Sequence, residues 1–221
     1  MGSLTLRDFQ HYKPKSKKKS TQKSIKTNGF VFSLEGVHGI GKSTVYSLLE
    51  SAFEHYLHIE FFPERLRPDP PVPFGSPDKQ TAFRSEIHYN QQMMARNKLI
   101  LDYVIKGRDY IAIADRSPIS TLVYARALGL PIVDYKLIED TYLSTKWVDE
   151  YIIYFQASPN TIMNRIVKRG SLEQERLKWN ESDMEYVNKI LSKYEELFNE
   201  TKIEQHEIGR ASCRERVCLY V

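Results

Sequence analysis

Residues 36–43 read Gly-Val-His-Gly-Ile-Gly-Lys-Ser and fit the pattern G-x-x-x-x-G-K-[ST] at every required position. In this pattern the glycines let successive backbone N–H groups surround phosphate oxygens, the lysine reaches the β- and γ-phosphates, and the hydroxyl coordinates Mg²⁺. The motif predicts a site for ATP and Mg²⁺, with a catalytic lysine. The residues assigned to its phosphate-binding part are Gly36, His38, Gly39, Ile40, Gly41, Lys42, Ser43 and Thr44.

A second chemical element, Asp115-Arg116-Ser117, directly follows the apolar run Tyr110–Ala114. A carboxylate at the end of a parallel strand beside the loop can hold Mg²⁺, usually through water, so Asp115 joins Ser43 as a predicted metal ligand. The guanidinium of Arg116 can bridge donor and acceptor phosphates as charge develops, which makes it a catalytic candidate. The alternative for Asp115 is a helix N-cap, and the two roles are compatible.

Two other classes of phosphate-loop protein are not favoured. The chain contains neither the Asn-Lys-x-Asp of guanine-specific GTPases nor the Leu-Ser-Gly-Gly-Gln of transporter ATPases. We therefore expect a phosphotransferase that acts on a small-molecule acceptor. A protein that binds nucleotide without catalysis is the alternative from another class.

The elements that must position these residues alternate between apolar strands and helical stretches, which predicts an α/β fold, a parallel sheet with helices on both faces. Predicted strands cover 30–35, 58–62, 110–114 and 151–157. Predicted helices cover 43–55, 78–106, 118–128 and 134–147, with two more opened by Ser158-Pro159 and by a capping box, Ser182-x-x-Glu185. Six prolines make 63–77 a predicted loop.

The net charge of +4 is unevenly distributed along the chain. Residues 1–28 hold eight basic side chains and one acidic side chain, whereas 29–206 carry a net charge of −4. We expect 1–28 to be a disordered basic arm and 29–206 to be the phosphotransferase domain. The arm is read as a solvated leader, with a nuclear-import or polyanion-binding segment as the alternative. No nucleic-acid partner is expected, because only the arm supports one.

The last segment, 207–221, reads as foreign to the domain. Residues 207–217, back-translated, resemble a widely used sequencing-library adapter read as coding sequence. We expect a native sequence that stops near His206, and a genuine polar tail is the alternative. Both cysteines, Cys213 and Cys218, lie in this segment, so no thiolate chemistry is expected in the domain.

No apolar run approaches the length of about 20 residues that spans a bilayer, and the N-terminus lacks an apolar signal core. We expect no membrane partner and a cytoplasmic location, with nuclear import through the arm as the alternative. The sequence leaves a homodimer open.

Residues 30–200 resemble the thymidylate kinase and deoxynucleoside kinase superfamily. Its opening signature is matched by Leu34-Glu35-Gly36 together with the loop up to Thr44. The resemblance implies the fold of P-loop nucleoside monophosphate kinases with a short helical lid. It is closest to thymidylate kinase-like proteins, because Asp115 and the spacing to Tyr124 follow that branch. Ser117 instead follows the nucleoside kinase branch.

The resemblance implies roles for residues that bind the acceptor. Phe62-Pro63-Glu64-Arg65 resembles a thymidylate kinase motif whose arginine contacts the acceptor phosphate, while nucleoside kinases use a glutamate at a comparable place as the base on the 5′-hydroxyl. Glu64 is thus a catalytic candidate. The implied acceptor-binding set is Arg65, Gln92, Arg96, Arg116 and Tyr124. Arg96 matches an arginine that reads thymine, and Gln92 occupies the place of a base-stacking aromatic.

Residues 154–170 resemble the strand and helix that lead into the lid of both branches, and the implied lid arginine is Arg169, followed by Arg176. Some thymidylate kinases carry an arginine at the place of Gly39, so here the lid is expected to supply that charge. His38 stands where an acidic residue usually touches the sugar 3′-hydroxyl; it either makes that hydrogen bond or leaves it unmade. The leading expectation is a kinase converting dTMP to dTDP, and a deoxynucleoside kinase with Glu64 as general base is the alternative.

Overall fold

A computed structural model describes residues 27–66, 76–170, 182–201, 205–212 and 215–220. The strands are β1 (Phe30–Glu35), β2 (Ile59–Phe62), β3 (Ile111–Asp115), β4 (Tyr151–Ala157), β5 (Gln205–Ser212) and β6 (Glu215–Tyr220). The helices are α1 (Lys42–Ala52), α2 (Lys79–Val104), α3 (Ile119–Ala127), α4 (Ile132–Ser144), α5 (Pro159–Gly170) and α6 (Met184–Thr201). The four predicted strands and the predicted helices are confirmed, with ends shifted by a few residues.

The sheet has the strand order β2-β3-β1-β4-β6-β5. The first four strands are parallel; Leu34 of β1 pairs with Asp115 of β3 on one side and with Ile153 of β4 on the other. This register brings the carboxyl ends of β1 and β3 side by side. In a parallel sheet, ligands bind at this edge.

Burial explains why these strands read as apolar runs. In β3, Ala112–Asp115 are all buried, so side chains on both faces of the strand are covered. Such double coverage is typical of parallel strands packed between helices. One core cluster includes residues of β4, α3, α5 and α6, and a second joins Val31, Phe62 and Val104 across β1, β2 and α2.

The edge beyond β4 departs from the expected all-parallel sheet. Strand β6 pairs antiparallel with β4, and β5 pairs antiparallel with β6. An antiparallel pair needs only a short connection, and β5 and β6 are two residues apart in the chain. Residues 207–212 and 215–220 of the predicted foreign tail lie in these strands; their origin stays a prediction.

The start of α6 also corrects a prediction. Ser182 is not the cap: the Glu185 backbone N–H donates to Asp183 Oδ1 at 2.9 Å, and Val187 N–H donates to the Asp183 carbonyl at 3.0 Å. Asp183 therefore caps the helix, one residue later than the capping box placed it, since Asp and Ser are comparable caps. The cap of α5 is confirmed, because Thr161 N–H donates to Ser158 Oγ at 3.2 Å.

Several predictions fall outside the described residues: the arm up to residue 26, most of the proline-rich loop, and the lid segment 171–181 with Arg176. Within the described part of the chain, no helix has the length and apolarity needed to cross a membrane.

Candidate active site

The phosphate-binding loop has the backbone geometry that its glycines predict. Gly41 has φ of 108° and precedes α1, whose N-terminus receives no side-chain cap. The first N–H groups of a helix lack partners within the helix, and they form a natural site for anions. Ser43 and Thr44 are exposed at this end of α1. The loop therefore offers uncapped amides and a hydroxyl to a polyphosphate.

Lys42 is buried inside the loop. Its Nζ atom donates hydrogen bonds to the carbonyls of Gly36 at 2.6 Å and Val37 at 3.0 Å. Burial, followed by the positive charge of Arg116, lowers the pKa of Lys42 to about 7. Negatively charged phosphate oxygens beside Nζ would favour the ammonium form and raise this pKa again.

The place of Gly39 cannot hold an arginine in this fold. Gly39 has φ of 77°, and a Cβ atom there would lie 2.5 Å from Ile166 Cγ1. An arginine reaches the loop from α5 instead: Arg165 Nη1 donates to the Ile40 carbonyl at 2.6 Å. Arg169 follows one helical turn later on the same face of α5. No role is predicted for Arg165 from the sequence, so its position at the loop is a finding of the structure.

Arg116 connects the other parts of the site. Its Nε donates to Glu64 Oε1 at 2.5 Å, and its Nη1 lies 3.4 Å from Glu35 Oε1. Its Nη2 donates to the Tyr124 hydroxyl at 3.2 Å, which also accepts from the backbone N–H of His38 at 3.1 Å. The predicted catalytic and acceptor residues Glu64, Arg116 and Tyr124 are therefore brought together beside the loop.

Opposing effects act on the pKa of Glu64. Burial raises it, but the positive charges of Arg116, Lys42 and Arg65 together outweigh burial, so the pKa of Glu64 lies below its ordinary value. Glu64 is therefore a carboxylate at neutral pH. A carboxylate within reach of an acceptor hydroxyl can remove its proton.

Asp115 is buried near this carboxylate, 7% exposed. Burial and then the negative charge of Glu64 raise the pKa of Asp115, while Arg116 and Lys42 act in the opposite direction. Among the described residues, no group of three His, Cys, Asp or Glu side chains could enclose a metal ion. Mg²⁺ commonly takes one or two protein ligands and completes its shell with phosphate oxygens and water, so Ser43 and Asp115 fit it.

Glu35, which sequence reasoning named only within the family signature, is a fully buried carboxylate at the end of β1. Four short hydrogen bonds reach it, from the Gly36 N–H, the Ser117 N–H, the Ser120 hydroxyl and the Tyr194 hydroxyl, at 2.6–3.0 Å. The carboxylate thereby joins the phosphate loop, the Asp115-Arg116-Ser117 segment and α6. In the sequence, the signal for such a role of Glu35 is an acidic residue at the end of an otherwise apolar strand.

Glu150 forms a second carboxylate support behind the same segment. It accepts hydrogen bonds from the hydroxyls of Ser33 and Ser117. Burial raises its pKa, and the two serine hydroxyls oppose the rise. No spacing in the sequence indicates this contact, because Glu150 precedes β4 and meets Ser117 only in the folded sheet.

Two of the residues assigned to the acceptor have protein partners. Arg96 is 2% exposed and donates to the carbonyls of Pro63 at 3.1 Å, Asp115 at 2.6 Å and Arg116. Gln92 accepts from the Leu66 N–H at 3.1 Å. The thymine-reading role expected for Arg96 is therefore not supported, since backbone carbonyls occupy its guanidinium.

The ring of His38 lies beside two tyrosine rings, and its contact with a sugar stays a prediction. Its ring stacks on Tyr186 with centroids 6.0 Å apart.

A buried polar group on α2 was not predicted. Ser85, Glu86 and Asn90 are at most 2% exposed. The Ser85 hydroxyl and both polar atoms of the Asn90 amide lack a hydrogen-bond partner among the described residues. Burial raises the pKa of Glu86 to about 8. Tyr89 lies one turn after Ser85 in α2, and its hydroxyl donates to Glu64 at 3.4 Å. The buried polar group of α2 therefore lies next to the site.

Comparison with protein families agrees with this geometry. A comparison with curated proteins finds no match. The family profile described as Deoxynucleoside kinase matches residues 32–205, most of the chain. The match does not confirm the closeness to thymidylate kinases or dTMP as acceptor, and it favours the nucleoside kinase alternative. The chain belongs to the deoxynucleoside kinase family and is an ATP-dependent nucleoside or nucleotide kinase.

Proposed function

We propose that this protein transfers the γ-phosphoryl group of ATP to the 5′-hydroxyl of a deoxynucleoside. The observation that carries the proposal is the pair formed by Glu64 and Arg116 beside the phosphate loop. A free hydroxyl must lose a proton during phosphorylation, whereas a nucleoside monophosphate offers an oxygen that is already ionised. An ionised carboxylate at this place therefore favours the nucleoside.

In the proposed reaction Glu64 accepts the proton of the 5′-hydroxyl. The hydroxyl oxygen forms a bond to the γ-phosphorus at the same time. The bond between that phosphorus and the β,γ-bridging oxygen breaks, and ADP leaves with the electron pair. Arg116 and Lys42 lie close enough for their charges to interact, and both are proposed to stabilise the charge on the transferred group. Ser43 and Asp115 would hold Mg²⁺, which would neutralise phosphate charge when bound.

Arg165 and Arg169 are proposed to contact the phosphates from α5. Arg165 already reaches the loop at the Ile40 carbonyl, and Arg169 lies on the same helical face. Charge supplied in this way stabilises phosphoryl transfer in other kinases and GTPases. It takes the place of an arginine that the close contact between Gly39 and α5 excludes from the loop.

The acceptor heterocycle is proposed to lie against the polar group of α2. Buried hydroxyl and amide groups are normally hydrogen-bonded, so those of Ser85 and Asn90 are suited to a polar ligand. Glu86, on the same helix, is mostly protonated at pH 7, and the protonated carboxyl can both donate and accept. These three side chains supply hydrogen-bonding groups for the edge of a base.

The test is ADP release with ATP and Mg²⁺ across a panel of four deoxynucleosides and the matching monophosphates, with Lys42→Met as the inactive control. Turnover with one or more free deoxynucleosides is expected. Turnover confined to a monophosphate such as dTMP would overturn the proposal and restore the nucleotide kinase. In that case Arg65, beside Glu64, becomes the first candidate for the acceptor phosphate.

A further inference from the structure

Arg96 links the ends of two neighbouring strands. It lies in α2, and its guanidinium donates to the Pro63 carbonyl, just after β2, and to the carbonyls of Asp115 and Arg116, at the end of β3. These acceptors precede or belong to the residues that carry the proposed chemistry, Glu64 and Arg116. One side chain therefore holds both backbone segments.

The backbone at Arg116 needs such support. Arg116 has φ of 74° and is the one non-glycine residue with a positive φ in the described ranges. A left-handed conformation is unfavourable for a residue with a Cβ atom, and it persists where surrounding contacts impose it. Here the Arg116 N–H donates to the Leu34 carbonyl at 2.9 Å, and its carbonyl accepts from Arg96.

We propose that Arg96 is a positioning residue that keeps the Arg116 peptide in its left-handed conformation and aligned with the Pro63–Glu64 segment, so that Arg116 pairs with Glu64. Arg96 acts through backbone carbonyls and does not contact the acceptor base. The inference deepens the proposed function, on which its kinetic readouts rest. Three of the five N–H donors of an arginine are used in these bonds.

An ionisable neighbour of Arg96 in this buried region is the side chain of Glu150. Glu150 lies close enough for the Arg96 guanidinium to oppose the rise that burial causes in the pKa of Glu150, and both side chains border one small cavity with Met93 and Val148. A neutral replacement at position 96 removes a positive charge from this buried region as well as the hydrogen bonds. A charge-conserving variant is therefore needed to separate the two effects.

The experiment compares Arg96→Met and Arg96→Lys with Arg84→Met, a control at an exposed position of the same helix. We expect Arg96→Met to lower kcat on the order of 100-fold, because displaced catalytic groups lose alignment. The order of preference among the acceptor bases should not change. Arg96→Lys, which keeps the charge but not the fork of donors, should also lose kcat.

A pH profile of kcat gives a second readout that general destabilisation would not move. Arg116, Lys42 and Arg65 act on Glu64 with positive charge, while Asp115 and Tyr89 face the same region. If Arg116 moves away from Glu64, the pKa of Glu64 rises, so the acidic limb in both Arg96 variants should shift to higher pH. The Arg84→Met profile should match that of the wild type.

Retained kcat with a changed base preference in either Arg96 variant would overturn the inference and make Arg96 a base-reading residue. A lowered kcat with an unmoved acidic limb would also overturn it. Should Arg96→Met not fold, Arg96→Lys provides the same two readouts. If the wild type phosphorylates only a monophosphate, the proposed function fails, while the same comparison with that acceptor still tests Arg96.

Discussion

Arg116 Nε and Glu64 Oε1 lie 2.5 Å apart, although 52 positions separate the two residues in the chain. The pair forms where β2 and β3 end side by side, since both strands are parallel and adjacent. It keeps Glu64 ionised at neutral pH and places a guanidinium beside the phosphate loop. The contact therefore joins the carboxylate proposed as the proton acceptor to the guanidinium proposed to stabilise phosphoryl charge.

Replacement of Glu64 by glutamine should remove the proposed general base while leaving the nucleotide site intact. We expect kcat with a deoxynucleoside to fall between about 100-fold and 10,000-fold, the range typical of a lost general base. ATP affinity, measured by isothermal titration calorimetry, should change little. Glu60→Gln, at an exposed position of β2, is the matched control. A Glu64→Gln enzyme with wild-type kcat would exclude Glu64 as the base.

Binding of ATP should be accompanied by proton uptake at Lys42. The pKa of Lys42 is lowered to about 7, so the free side chain is mostly neutral at pH 8. Contact with phosphates favours the charged form and raises this pKa, so binding at pH 8 should take up about one proton. Calorimetry in buffers of different ionisation enthalpy measures that number.

Lys42→Met is the control for this measurement and should abolish the uptake, because it removes the titrating group. Equal binding enthalpies for the wild type in all buffers at pH 8 would contradict the prediction.

The stability of the protein should depend on pH through Glu86. Its pKa is raised to about 8 in the fold, against 4.5 for an ordinary glutamate, so the unfolded chain releases this proton at lower pH than the folded one. Stability therefore falls as pH rises from about 4.5 to 8, by at most about 1.4 kcal/mol per pH unit. Below that window Glu86 is neutral in both states and contributes no pH dependence.

Glu86→Gln should remove this dependence. The free energy of unfolding of Glu86→Gln minus that of the wild type should be larger at pH 8 than at pH 5. Urea denaturation at both pH values measures this difference. Asp102→Asn, at an exposed position of α2, is the control. An advantage of Glu86→Gln that is the same at both pH values would refute the assignment.

Tyr194 should stabilise the fold through Glu35. Its hydroxyl donates to this buried carboxylate at 2.7 Å, and hydrogen bonds to charged groups contribute about 1.5–3 kcal/mol. Tyr194→Phe should lower the free energy of unfolding by about 2 kcal/mol. Tyr103→Phe is the control, because within the described part of the chain the Tyr103 hydroxyl is buried without a hydrogen-bond partner. Equal stabilities of the two variants would argue against the role of Tyr194.

The sequence was sufficient for features that depend on neighbouring residues. The glycine-rich loop, the four parallel strands and the cap at Ser158 follow from local pattern, because backbone conformation and hydrophobic periodicity act within a few positions. The sequence pattern placed the cap of α6 at Ser182 instead of Asp183, because the two adjacent residues have similar capping ability. It also missed the antiparallel β5 and β6, whose pairing depends on what lies beside β4.

The catalytic region shows the same division between local pattern and tertiary contact. From the sequence alone, Lys42, Ser43, Asp115 and Arg116 are predicted to bind phosphate or metal, since residues of these types at this spacing carry that chemistry. Only the folded structure assigned Arg96 to backbone carbonyls and joined Glu35 to Tyr194 across 159 positions. The role of a buried polar side chain is decided by the partners that surround it, and those partners come from distant segments of the chain.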